Sequence, residues 1–189
     1  MKKYGNDYRQ SGKQFEYTGK WYGGKLSVNQ LKNHGIFYTG FMAGIFLIYA
    51  ASLMLNNAGN RIFWILLPYM VMIFPVSYGI MGGISLVRFC QKKNRGEKSQ
   101  VVIPEEHTEH MTRAEYEKGI RRTVRCSMTV VGLSLFTCFA NLIFIVQGRG
   151  KQSLGADLLF EIAVVTILVL GSVTAVQSWR IKADFTIFE

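Results

Sequence analysis

Charge is missing from this sequence over long distances. From Ile36 to Leu55, 20 residues pass without one Asp, Glu, Lys or Arg, and from Ile62 to Val87 another 26 do so. Only 18% of the chain is charged, against roughly a quarter in an ordinary soluble domain. Buried helices of soluble proteins are usually shorter and keep a polar stripe, so these runs argue against a water-soluble fold. Cysteine is scarce as well. Cys90, Cys126 and Cys138 are odd in number and form no CxxC pair, which excludes a disulfide framework and leaves three thiols. No HExxH, nucleophile elbow or P-loop occurs. The chain is therefore expected to be non-enzymatic, without cofactor or bound metal.

What is present is four apolar blocks separated by polar segments. A helix needs about 20 apolar residues to cross the hydrocarbon core. The blocks are Ile36–Leu55, Ile62–Val87, Val124–Val146 and Leu158–Val176, with Arg125 at the mouth of the third and Glu161 near the start of the fourth. Lipid offers no partner to an open backbone, so each span must be helical. The expected fold is all-α: a polytopic membrane protein, a four-transmembrane-helix bundle. Its parts are a basic aromatic-rich segment (1–35), a first transmembrane hairpin (36–87), a loop with a juxtamembrane helix (88–123), a second hairpin (124–176) and a tail (177–189). Pro68 and Pro75 stand seven residues apart in the second span. Each removes a backbone donor, so a kink is expected there.

Basic residues set the orientation. Of the 22 Lys and Arg, 19 lie in the N-terminal segment, the 88–125 stretch and the tail, and three lie in the two short loops. This predicts cytoplasmic N- and C-termini in a multi-pass protein of the plasma membrane. Met1-Lys2-Lys3 is followed by no apolar core for over thirty residues, so the first span is expected to be its own insertion signal. The net charge of +10, together with Tyr4, Tyr8, Phe15, Tyr17, Trp21 and Tyr22 interleaved with lysines, fits a segment lying on anionic lipid at the cytoplasmic face. Stacking on nucleic acid is the less economical reading beside a membrane. The loops NNAGNR and QGRGKQSLGAD are too small to hold an outer domain.

Two capping boxes are readable, Ser27 with Gln30 and Thr112 with Glu115. Each precedes its span by about ten residues, so a helical extension into the membrane is expected. The pattern cap, span, turn, span recurs at an offset near 85 residues, as in a parallel repeat; two entry helices with the same common cap would look alike.

Candidate functional residues are few. Ser127, Ser134 and Asn141 recur every seven residues with Cys138 nearby, a polar intramembrane stripe of the kind that bonds neighbouring helices. Gly40 and Gly44 form GxxxG in the first span, and Gly79 and Gly83 form another in the second, both expected to serve helix packing within or between chains. Glu161 is a candidate ion or proton site, although Arg149 and Lys151 make an interfacial carboxylate the plainer expectation. His107 and His110, in EEHTEH with Glu105, Glu106 and Glu109, could ligate a divalent metal. A third ligand of fixed geometry is not evident, so a solvated acidic patch is expected. These observations predict an accessory or regulatory subunit of a membrane assembly, with a membrane-protein partner or self-association and no nucleic acid. A small oligomeric transporter built from two parallel hairpins is the alternative.

Overall fold

The computed structural model describes residues 7–11, 14–57, 62–94, 101–102, 110–147 and 154–188. Four helices in it are long and apolar enough to cross a membrane. The first, α1 (Val28–Leu53), starts where the sequence places its cap. Ser27 Oγ accepts from Gln30 N at 3.3 Å, and Gln30 Oε1 accepts from Ser27 N at 3.0 Å. Leu31, Gly35, Tyr38, Met42, Ile45, Tyr49 and Ser52 are its buried face, a spacing of alternating three and four residues that keeps one side inward.

The second span breaks rather than bends. It runs as α2 (Phe63–Val71) and α3 (Ile73–Asn94), interrupted at Met72. Pro75 explains the break: it cannot donate to the Val71 carbonyl, and its ring crowds that oxygen. Pro68, by contrast, sits inside α2. The break separates two packing duties, because α3 lies on α1 while α2 leans across to the third long helix.

That third helix also opens on its box. Thr112 Oγ1 accepts from Glu115 N at 3.4 Å, and Glu115 Oε2 accepts from Thr112 N at 3.0 Å. A short turn, α4 (Arg113–Tyr116), passes through a π-helical turn, Glu117–Arg121, into α5 (Arg122–Val146). Glu117 pairs with Arg113 and Arg121 on its outer side. The wider turn adds a residue and rephases the helix, so that Thr123, Ser127, Val130, Ser134, Thr137 and Asn141 all face inward. The fourth helix, α6 (Leu154–Ala183), returns along α5. The two hairpins meet through α3 on α5 and α1 on α6, the arrangement a two-fold relation between them would give.

The expectation of an all-α fold needs correction, because the end of the bundle that carries both termini holds two small sheets. One joins β1 (Tyr8–Ser11), β2 (Gln14–Tyr17) and β4 (Val101–Val102) in the order β1-β2-β4. The other has β3 (Trp21–Gly24) at its centre, between β5 (Met111–Thr112) and β6 (Phe185–Phe188). Trp21 faces Thr112 on one side and Phe188 on the other. Alternating aromatic and polar residues suit a pleated strand, and Gly24 lets the Phe185 ring approach: an added Cβ would meet it at 3.1 Å. Segments from the start, middle and end of the chain are thus hydrogen-bonded to one another at the same end.

The outward surface of the helices is apolar. Leu47 is 69% exposed and Trp64 71%, with Phe74, Phe139 and Ile162 also turned out. The interior, meanwhile, contains Ser, Thr, Asn, Asp and Glu.

Candidate functional site

The buried polar residues collect in three groups along the bundle axis. Nearest the sheets, Tyr38 donates from α1 to the Thr123 carbonyl of α5 at 3.0 Å. Ser127 donates to the same carbonyl at 2.8 Å, with its hydroxyl 3.3 Å from the Tyr38 oxygen. Gly79 makes room, since a Cβ there would lie 2.9 Å from that phenol oxygen. Gly83 is as close to Thr39 and to the Gly35 carbonyl. The Gly79–Gly83 pair therefore lies at the α1–α3 crossing. A Cβ at Gly40 or Gly44 would meet nothing within 4 Å, so that pair packs against no other helix among the described residues.

Toward the opposite end, Tyr69 of α2 and Ser52 of α1 share a hydrogen bond, and Ser52 passes its own proton to the Tyr49 carbonyl at 2.8 Å. The Tyr69 ring lies 4.9 Å from Tyr49 and 4.9 Å from Phe160 of α6. Nothing in the span pattern singled out these three residues. Tyr49 and Ser52 do continue the inward spacing of α1, and that was the available signal.

Phe160 leads to the third group, between α5 and α6. Glu161 is only 7% exposed. The Cys138 thiol donates to its Oε1 at 2.7 Å, and Asn141 Nδ2 donates to its Oε2 at 2.8 Å. Nδ2 also lies 3.5 Å from the Asp157 carbonyl oxygen. Asn141 and Asp157 are fully buried, and Asn141 Oδ1 has no partner. Three residues picked from two separate spans of sequence are thus joined, with Glu161 bonded to both Cys138 and Asn141. The fourth, Ser134, is buried but bonds within its own helix, to the Val130 carbonyl at 2.8 Å. Glu161 is turned into the seam; Arg149 and Lys151, expected beside it, lie outside the described residues.

At the sheet end, Tyr17 and Trp21 are buried edge to face, with ring centres 4.7 Å apart. The Tyr17 hydroxyl donates to the Lys20 carbonyl and accepts from Arg113 N, both at 2.9 Å, fixing the N-terminal segment to the start of α4. Burial pushes the Tyr17 phenol above its ordinary value. Of the histidine motif, His107, Glu105, Glu106 and Glu109 lie outside the described residues, while the His110 ring rests 4.6 Å from Phe188. A groove of about 440 Å³ runs between α5 and α6 on the outer surface, lined by Met128, Val131, Val176, Trp179 and Arg180 among others.

Comparison with family models, with curated proteins and with solved structures finds no match to this chain.

Proposed function

We propose that this chain is a multi-pass protein of the plasma membrane, with its termini and the 88–123 loop in the cytoplasm, and that it acts as a non-enzymatic accessory or regulatory subunit of a larger membrane assembly. The observation that carries this reading is the inverted polarity of the bundle. Large apolar side chains cover the outside of all four long helices, whereas Ser127, Ser134 and Asn141 are sealed inside and bonded to neighbouring groups. In lipid that distribution is stable, and in water it is not. At its two ends the stripe joins helices, Ser127 to Tyr38 of α1 and Asn141 to Glu161 of α6, which favours a structural over a conducting role for it. The outward Gly40–Gly44 face supplies a flat helix surface on which a partner helix or a second copy could close. Cytoplasmic placement of the sheets rests on the basic residues, which would also meet anionic lipid there. The alternative, a small oligomeric transporter, draws its support from one feature, the acid enclosed between α5 and α6.

Photo-crosslinking from positions 40 and 44 in native membranes tests the reading. A subunit gives one discrete adduct with a different membrane protein, recovered in fixed stoichiometry in mild detergent. A homo-oligomeric adduct together with substrate flux in vesicles gives the transporter instead. Chain found in the soluble fraction would end both.

A further inference from the structure

We propose that Glu161 is a proton-binding site: its carboxyl takes up and releases one proton inside the α5–α6 seam while the helices stay in place. The inference rests on the membrane reading above and holds for a subunit or a transporter alike.

Glu161 lies seven residues in from the start of α6, about 10 Å along the helix axis at 1.5 Å per residue. An isolated carboxylate enclosed at such a place is costly, and it is relieved by a counter-charge or by a proton. Among the described residues the groups around it are few. From α5 come the Cys138 thiol and the neutral amide of Asn141. Its own helix brings Asp157, one turn away and buried. From α2 comes Tyr69, whose ring meets Phe160 and whose hydroxyl is engaged with Ser52; from α1 comes Tyr49, beyond Tyr69. None of these is a cation. Among the described residues no Lys, Arg or His forms an ion pair with Glu161.

The hydrogen bonds favour a proton over a metal ion. Each carboxylate oxygen already accepts one hydrogen, which leaves a metal ion only the remaining lone pairs of a single carboxylate. Nor do the described residues contain three His, Cys, Asp or Glu grouped to hold one. A proton keeps the Cys138 contact and only reverses its direction, because a thiol is both a weak donor and a weak acceptor. With the carboxylate, S–H donates to Oε1. When a proton arrives from water, an O–H bond forms at Oε1 and donates to Sγ, while the thiol keeps its own hydrogen and turns it aside. Asn141 donates to Oε2 in both states. A second observation points the same way. Asn141 Oδ1 is a fully buried acceptor without a partner in the same cluster, available to a donor that carries the proton in.

The test uses dicyclohexylcarbodiimide, an apolar reagent that reacts with the protonated form of an enclosed carboxyl. The carboxyl oxygen bonds to the carbodiimide carbon and its hydrogen passes to nitrogen. The full chain is first shown to remain with washed membranes, then labelled in mild detergent across a pH series and mapped by mass spectrometry. The expected result is an adduct on Glu161 at least about tenfold more abundant at acid than at alkaline pH, the change that one unit of pH can bring to a single protonated group. The adduct is absent in Glu161→Gln. Cys138→Ser, which keeps a group that both donates and accepts, preserves the profile. Asn141→Leu, which removes a donor to the charged form, extends labelling to more alkaline pH. A folded, membrane-bound chain that is unlabelled at Glu161, labelled equally at every pH, or protected by sodium at fixed pH overturns the proposal alone. A chain recovered from the soluble fraction overturns the membrane reading and this inference with it.

Discussion

The two hairpins reach similar packing by different means. In the first, α1 and α3 approach because side chains are missing: Gly35, Gly79 and Gly83 let backbone and phenol fit where a Cβ would collide. In the second, α5 and α6 are joined by side chains that are present, with Cys138 and Asn141 bonded to Glu161. The first also breaks at Met72, whereas α6 is one unbroken helix of 30 residues. Contact by shape tolerates changes of solution pH and is intolerant of added volume. Contact by hydrogen bonding has the opposite sensitivities.

The contrast is most exposed to added volume. Gly83→Leu should destabilise the folded chain by about 3 kcal/mol or more, the cost of overpacking a closed contact. Gly40→Leu, the same change in the same motif, should stay within about 0.5 kcal/mol. Thermal or SDS-induced unfolding in detergent measures both, and equal losses would erase the distinction between the two GxxxG pairs. In the second hairpin, Asn141→Leu should cost on the order of 1–2 kcal/mol through the lost interhelical bond. With Glu161 exchanging a proton as proposed above, that loss should be larger at alkaline than at acid pH, because the amide bonds a charged carboxylate more strongly than a neutral carboxyl. The Gly83→Leu loss should not vary with pH.

Smaller effects sharpen the comparison. The caps should each contribute about 1 kcal/mol, with Thr112→Ala the more costly of the two, since Thr112 is buried and its hydroxyl also donates to Glu115 Oε2 at 2.8 Å, whereas the Ser27 cap is exposed. Pro75→Ala should change stability least, by under about 1 kcal/mol. It should nevertheless restore a continuous second helix and carry α2 away from α5, read as a longer spin-label distance between them. An unchanged distance would mean that the break at Met72 is imposed by packing and not by proline.

Most of the helical scaffold was legible because its signals are local. Ser27 with Gln30 and Thr112 with Glu115 announce helix starts within four residues, and uncharged runs announce lengths. Ser127, Ser134 and Asn141, spaced by seven residues, all lie on the buried side of α5. What lay hidden depended on distant residues. Trp21 gives no hint that Thr112 and Phe188 will flank it. Likewise, position along a span tells how deep Glu161 lies but not which way it turns. Only the pairing of α6 with α5 directs it toward Asn141. The two GxxxG pairs were indistinguishable as motifs, because which of them meets a neighbour depends on how the helices are arranged around α1.

Consider finally the order in which β3 acquires its neighbours. The strand at the centre of the sheet precedes both flanks in synthesis, the first emerging only after the first hairpin and the second only after α6. Until α6 has turned back to the same end, Trp21 and Tyr22 remain partly unsheltered and the edge of β3 stays open to other strands or to proteases. Closure by Phe185–Phe188 therefore depends on the course of α6: a chain in which that helix fails to return along α5 cannot complete the sheet, and betrays itself by an unprotected strand at Trp21–Gly24.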